Sequence, residues 1–189
     1  MERVALASLA MVLLFMPLTG FSQKTFFSVG PEVVFPGSDT DLKRNAGTGF
    51  GASVRLESRW GKHIAGMATV SYIDFPKKHH TSPGLQGTTT NVMLIPVQLG
   101  LKYYALERDP KPKGFFVSIE AGLMPARTDF EYASNPDFKF KEDGLSCAVG
   151  LGYLLWNIEG SFRLQYNLSA SGFNVYYYDF MLAYAFLRR

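Results

Sequence analysis

The sequence predicts an all-β fold, an eight-stranded antiparallel up-and-down transmembrane β-barrel. Three observations predict it. After its first 22 residues the chain is a series of segments in which apolar and polar residues alternate, short and long connections alternate between these segments, and the charged residues share one face of the strands. Successive side chains of a strand point to opposite faces, so each such segment has one apolar and one polar face.

The N-terminus has the pattern of a secretory signal peptide. Arg3 precedes an apolar run over residues 4–15, and Ser22 occupies the small-residue position before a cleavage site. The run is shorter than the roughly 20 residues that a helix needs to span a bilayer. We therefore expect residues 1–22 to be a signal peptide and residues 23–189 to form the barrel domain.

The mature chain contains eight alternating segments and no convincing helical periodicity. Each segment is near or above the roughly 9–11 residues that a tilted strand needs to cross a bilayer. In chain order, the predicted strands are Thr25–Phe35, Gly49–Trp60, His63–Phe75, Thr89–Tyr104, Phe115–Met124, Leu145–Trp156, Ile158–Leu168 and Asn174–Leu187.

The connections are sorted by length. Only Gly61 and Lys62 join the second and third strands, and little more than Asn157 joins the sixth and seventh, whereas the connections after the first, third and fifth strands are long. Outer-membrane barrels have short periplasmic turns and longer external loops. The pattern favours a barrel in the bacterial outer membrane over a soluble meander.

Alternation alone does not decide which face of each strand lies inside. A soluble barrel of lipocalin type turns its polar face to water, whereas a membrane barrel encloses that face and turns its apolar face to lipid. The sixth strand favours the membrane arrangement. Its apolar face is long, and the small residues Ser146, Ala148, Gly150 and Gly152 on the opposite face suit a crowded lumen.

The polar faces carry charges of both signs in near balance. A lone charge facing lipid at the midplane costs about 2–4 kcal/mol, while charges inside a narrow lumen can pair with one another. We therefore predict that a luminal salt-bridge network fills the barrel. Its members are Glu32, Arg55, Glu57, Arg59, Lys102, Glu120, Glu159, Arg163 and Asp179.

Aromatic residues collect near the ends of the predicted strands. Trp60, Tyr103 and Trp156 lie at the short turns, where an interfacial belt is expected. The opposite girdle is predicted to contain Phe35, Tyr72, Phe75, Tyr176 and Tyr178.

The stretch from Pro125 to Gly144 is predicted to continue the fifth and sixth strands upward as a hairpin. Its aromatic residues lie on the parity opposite to the apolar residues below, so we expect a bulge near Pro125 and Gly144. They form a candidate surface-binding hairpin: Phe130, Tyr132, Phe138 and Phe140.

Two motifs carry a family resemblance. "MLIPVQLGLKYY" (Met93–Tyr104) and "GFFVSIEAGL" (Gly114–Leu123) resemble the outer-membrane barrel domain family called porin-family or PorT-like, and more loosely the OmpA/OmpX-type barrels. The resemblance implies an eight-stranded barrel and admits a part in secretion. Pro96 in the first motif removes a ladder hydrogen bond, so we expect a bulge there.

Composition excludes several kinds of site. The net charge of +3 is too small and evenly spread for nucleic-acid binding, and Cys147 is the only cysteine. The adjacent His79 and His80 have no orienting carboxylate beside them, and neighbouring side chains of an extended segment point opposite ways. We therefore expect no cofactor, no metal and no catalytic residue.

The predicted barrel and its long loops support several hypotheses about function. The leading one is a non-enzymatic outer-membrane protein with a structural or surface-interaction role and a surface or secretion-system protein as partner. Lysines such as Lys77 and Lys139 in the long loops are candidates for contact with lipopolysaccharide phosphates, besides ordinary membrane lipid. The alternatives are a narrow passive pore, a lipid A-modifying enzyme and a soluble periplasmic barrel.

Overall fold

The computed structural model describes residues 25–37, 46–60, 62–79, 88–105, 113–132, 138–169 and 175–188. The predicted signal peptide lies outside these residues. Within them, no helix is long and apolar enough to cross a membrane. The strands are β1 (Thr25–Pro36), β2 (Gly49–Arg59), β3 (Ile64–His79), β4 in two segments (Thr88–Leu94 and Val97–Tyr104), β5 (Lys113–Tyr132), β6 (Phe138–Leu155), β7 (Ile158–Ser169) and β8 (Val175–Arg188).

The strands close into a barrel. Each strand pairs antiparallel with the strands before and after it in the chain, and β1 pairs with β8 from Thr25–Arg188 to Pro36–Tyr177. A closed wall has no open strand edge. Closure is required in lipid because the hydrocarbon cannot hydrogen-bond the unpaired backbone groups of an edge. The predicted fold, an eight-stranded antiparallel up-and-down barrel, is confirmed.

Proline interrupts β4 without shifting its register. Val97 continues the pairing that Leu94 makes with both neighbouring strands, so the predicted bulge at Pro96 is wrong. The backbone N–H of Ser71 donates to the Pro96 carbonyl at 3.0 Å. Since proline has no N–H, the return bond to the Ser71 carbonyl is missing.

The same defect recurs one strand further on. The Ile95 N–H donates to the Pro125 carbonyl at 2.9 Å, and Pro125 again has no N–H to return. The pairing of β5 with β6 runs unbroken from Lys113–Leu155 to Phe130–Phe138, so the predicted bulge near Pro125 is also wrong. The register shift lies instead in β3, between Phe75 and Lys78.

The two faces of the wall differ in chemistry as predicted for a membrane barrel. In the middle of the wall, the outward residues of β6 and β8 are apolar and exposed, and four of them, Leu145, Val149, Phe180 and Leu182, are more than half exposed. Soluble monomers rarely expose so continuous an apolar surface. Between the two ends of the barrel, the charged residues of the strands lie at inward positions, where all but Arg59 are buried. The barrel therefore has its apolar surface outside and its charges inside.

Replacement of Pro125 by alanine tests the ladder defect. Pro125→Ala restores an N–H opposite the Ile95 carbonyl, and we expect it to raise the unfolding free energy by about 1 kcal/mol, the usual net value of one hydrogen bond. Urea unfolding of the refolded protein in detergent micelles measures the change. The backbone amide that the substitution introduces should also exchange slowly with solvent; rapid exchange or unchanged stability would contradict the missing bond.

Candidate functional site

The lumen of the barrel is the best-defined polar site. Its lower charge layer lies toward the end with the short turns, here called the short-turn end. Lys102 Nζ lies 2.9 Å from both Glu57 Oε2 and Glu159 Oε2, and Arg55 forms an ion pair with Glu159. The Tyr104 hydroxyl donates to Glu57 Oε1 at 2.6 Å. These side chains come from β2, β4 and β7, so the layer links three parts of the wall.

The upper charge layer is centred on Arg163 of β7. Its guanidinium forms an ion pair with Glu32, donates from Nε to Asp179 Oδ1 at 2.8 Å, and lies 3.5 Å from Glu120 Oε2. Gln165 Nε2 also donates to Asp179, at 2.8 Å. Three carboxylates therefore surround a single fully buried guanidinium.

An aromatic floor closes the short-turn end of the lumen. The Arg59 guanidinium lies 4.4 Å from the centre of the Phe26 ring, and Lys102 Nζ lies 4.1 Å from that of Phe116. Tyr104 packs with Phe116 in a buried cluster. Such cation–π contacts are strongest where water is excluded.

An apolar roof closes the other end, here called the loop end. It contains Ile73, Phe75, Leu94, Met124 and Tyr177, all fully buried. Phe75 therefore does not belong to the outer girdle, and that prediction is wrong. The irregular pairing of β3 with β4 begins at this residue. Of the other predicted girdle residues, Tyr176 is only half exposed, while the exposed ones are Phe35, Tyr72 and Tyr178.

Small residues on β6 give the luminal side chains their room. A Cβ atom on Gly150 would lie 2.6 Å from Ser118 Oγ and 2.9 Å from Arg163 Cγ, and one on Gly152 would lie 2.4 Å from the Phe116 ring. These distances are too short for carbon contacts. The small face of this strand is therefore a packing requirement of the charge network.

The structure brings all nine predicted charged residues to the lumen. Eight are buried and joined in the two layers. Arg59 differs, since it lies at the mouth with its side chain 13% exposed and 3.8 Å from Glu57. Among the described residues, no group of three or more His, Cys, Asp and Glu could hold a metal ion.

Uncharged polar residues also line the lumen. Tyr104 is one, and the Ser53 hydroxyl, which donates to Glu32 at 2.6 Å and lies 2.7 Å from that of Ser71, is another. Gln98 donates to Ser146 at 2.7 Å and to Gln165 at 3.1 Å. Their signal in the sequence is parity, because each shares the face of a predicted luminal charge.

The predicted interfacial aromatics lie together at the short-turn end. Trp60, Tyr103 and Trp156 are 42–62% exposed on the outer surface. Trp60 packs over Gly66, whose added Cβ would lie 2.5 Å from the indole. Trp156 adopts a φ of 57° in the turn between β6 and β7. Their place at the membrane interface stays a prediction.

The predicted hairpin extends β5 and β6 well above the roof. Phe130, Tyr132 and Phe138 lie in these strands, and Phe140 is 38% exposed. Nearby, Arg127 donates to Asp129 at 2.9 Å, and this hydrogen bond raises the pKa of Arg127. The tip of the hairpin, residues 133–137, lies outside the described residues, as do His80 and residues 38–45 of the first long loop.

This barrel resembles several solved structures. The attachment invasion locus protein Ail of Yersinia pestis has a TM-score of 0.58 at 12% identity, over 86% of this chain and 98% of Ail. The outer membrane protein OprG of Pseudomonas aeruginosa has a TM-score of 0.54 at 13% identity, over 87% and 97% of the two chains. The N-terminal barrel domain of P. aeruginosa OprF has a TM-score of 0.53 at 12% identity, over 87% and 99%.

The chain has the fold of the OmpA/OmpX-type outer-membrane barrels. At these identities the likeness establishes the fold alone, and the predicted resemblance is confirmed at that level. No protein-family model and no curated protein sequence matches the chain. The narrower PorT-like resemblance stays a prediction.

Removal of the central guanidinium tests the upper charge layer. We expect Arg163→Met to lower the unfolding free energy by about 3–5 kcal/mol, because it leaves three buried carboxylates without their shared cation. The matched control is Arg127→Met, whose exposed pair with Asp129 should contribute little. Urea unfolding in detergent micelles measures both variants, and equal effects would contradict the network.

The two charge layers should lose very different amounts of stability when one of their carboxylates is neutralised. The nine luminal residues contain five carboxylates and four cations, and the excess lies around Arg163. We expect Glu120→Gln to change the unfolding free energy by less than about 1 kcal/mol, while Glu159→Gln, which deprives Arg55 and Lys102 of their shared partner, lowers it by about 3–5 kcal/mol. The reverse order in urea unfolding would refute this division of charge.

Proposed function

We propose that this chain is an integral protein of the bacterial outer membrane, in which a sealed and non-enzymatic barrel anchors a sheet that binds a protein partner outside the membrane. The apolar outer surface, the enclosed charges and the likeness to outer-membrane barrels support the location. The sheet that extends beyond the barrel on one side supports the role in binding a protein partner.

The observation that carries the proposal is the unequal height of the wall. On one side, the β2–β3 pairing ends at Phe50–Asp74, and the β6–β7 pairing ends at Gly144–Ser169. Between them the strands rise further, with pairs at His79–Thr89, Thr88–Tyr132 and Phe130–Phe138. The upper parts of β3, β4, β5 and β6, here called the upper sheet, therefore stand above the rest of the barrel.

The upper sheet has two edges in the described part of the chain. Among the described residues, no strand pairs with residues 75–79 of β3 or with residues 138–143 of β6 on the side facing away from the sheet. An unpaired edge offers backbone N–H and C=O groups to an added strand. The β6 edge reads Phe-Lys-Phe-Lys-Glu-Asp, and its Phe140 and Lys141 are exposed. An extended segment of a surface or secretion-system protein is the partner that this edge fits.

The packed lumen favours this anchor role over a pore. The aromatic floor, two charge layers and apolar roof occupy the axis of the barrel. We expect no single-channel conductance from the purified protein in planar bilayers, whereas a passive pore would give discrete steps.

The luminal charges also contact one another, which favours a structural over a lipid A-modifying role. Mass spectrometry of lipid A from cells with and without the protein tests that alternative.

Lipopolysaccharide is a further candidate contact at the loop end. Ail was solved in complex with a sulfated heparin analogue, but the charges of this chain do not favour a comparable anion site. The strand residues at this end comprise five basic ones, Lys77, Lys78, Arg127, Lys139 and Lys141, and five acidic ones, Asp74, Asp129, Glu131, Glu142 and Asp143. A protein strand therefore remains the favoured partner.

Site-specific photocrosslinking in intact cells tests the upper sheet. A photoreactive phenylalanine analogue at Phe140 should give a discrete protein adduct, because it lies on the exposed β6 edge. The matched control is the same analogue at Val149, which lies lower on β6 and is expected to face lipid. Adducts at both positions, at neither, or only to lipopolysaccharide at Phe140 would contradict the proposed partner.

A further inference from the structure

The two edges of the upper sheet differ in how well they can accept an added strand. The β3 edge contains the exposed Pro76, which has no N–H, and its pairing with β4 is irregular between Phe75 and Lys78. Prolines and bulges are the devices that protect an edge from pairing. The β6 edge over residues 138–143 has neither, because its pairing with β5 is regular and it contains no proline. In the described part of the chain, β6 is therefore the edge suited to a partner.

The backbone of the β6 edge offers hydrogen bonds on the side away from β5. In an antiparallel sheet, every second residue of a strand directs both its N–H and its C=O to the same neighbouring strand. β5 takes one set of these residues, and the other set, three of the six over 138–143, points away from it. The ladder between β6 and β7 ends at Gly144–Ser169 and does not reach them. An added strand can therefore continue the ladder beyond the end of β7.

The β6 edge also carries two opposite charges two residues apart. Lys141 and Asp143 are exposed, and both share the parity of the outward residue Leu145. In the described part of the chain, neither of the two forms an ion pair. Arg127, which lies opposite Lys141 in the ladder, is instead paired with Asp129 at 2.9 Å. The charges of Lys141 and Asp143 are thus available to a strand that adds beside them.

We propose that the β6 edge binds an extended protein segment that reads basic, any residue, acidic, apolar from its N-terminus. In an antiparallel added strand the basic residue lies opposite Asp143, the acidic residue opposite Lys141, and the apolar residue opposite Phe140, which is 38% exposed. Opposite charges across a ladder attract each other, and like charges repel. The antiparallel direction is the more stable one per residue. This inference rests on the proposed function and supplies the chemistry of its partner.

Two peptides of identical composition test the charge pattern. The matching peptide has the central sequence Lys-Thr-Glu-Val-Thr-Val, and the exchanged peptide has Glu-Thr-Lys-Val-Thr-Val. Fluorescence anisotropy of labelled peptides measures their binding to the refolded protein in nanodiscs of zwitterionic lipid. We expect the matching peptide to bind about tenfold more tightly, because two attractive cross-strand pairs replace two repulsive ones. High salt should reduce this preference, because salt screens exposed charges.

Matched variants locate the site. Lys141→Glu combined with Asp143→Lys should reverse the preference, so that the exchanged peptide binds about tenfold more tightly. The same exchange one strand away, Arg127→Glu combined with Asp129→Lys, should leave the matching peptide preferred. Heat-modifiable gel migration checks that each variant is folded. Methylation of two successive backbone nitrogens in the matching peptide removes an N–H that faces β6 and should abolish binding.

Four results would overturn the inference: equal affinity of the two peptides, no binding of either one, a preference that the β6 exchange does not reverse, or binding that survives the methylation. The proposed function fails separately, through the crosslink at Phe140. A protein adduct at Phe140 in cells, together with equal affinity of the two peptides, would refute the charge pattern alone and leave the proposed function in place.

Discussion

The pairing of Arg163 with Glu32, Asp179 and Glu120 is the contact on which the rest of the barrel depends. A charge inside a bilayer-spanning wall is tolerated only when other charges and hydrogen bonds meet it. The four side chains come from β7, β1, β8 and β5, so the cluster draws both halves of the sheet together. A buried network of this kind adds little stability over an apolar core, but the loss of its one guanidinium leaves the surrounding carboxylates without a cation.

The floor and the roof give this network its environment. Phe26, Phe116 and Tyr104 close one end of the lumen, and Phe75 and Met124 belong to the cluster that closes the other. Exclusion of water strengthens the interactions between the charges and raises the penalty for an unpaired one. A filled lumen gives a rigid wall, and a rigid wall is a suitable base for a sheet that rises on one side only.

Periodicity was sufficient to predict the strands and the face on which each charge lies. The inward position of Arg55, Glu120 and Arg163 follows from parity alone, because a strand has a period of two. Parity does not predict where along the barrel axis a luminal side chain lies or which residue it pairs with. Arg55 pairs with Glu159, which is 104 residues away in the chain, and that contact depends on the stagger and diameter of the closed barrel.

The roof and the prolines show where sequence reasoning fails. Phe75 lies where apolar residues occupy both parities, so no alternation indicates that it faces inward. Pro96 and Pro125 were expected to force bulges, but the strands keep their register and lose one hydrogen bond each. Proline removes one backbone N–H donor from the ladder. Whether the strand then forms a bulge or keeps its register depends on the neighbouring strands.

The central claim is that lipid lies outside the wall and paired charges lie within it. Nuclear Overhauser contacts between the acyl chains of a surrounding micelle or nanodisc and the methyl groups of the unmodified protein test it most directly. The account predicts acyl-chain contacts to the outward methyls of Val149, Leu151 and Leu182, and none to the inward methyls of Ala148 and Ala183. Water contacts at the outward methyls, with acyl-chain contacts at the inward ones, would contradict it.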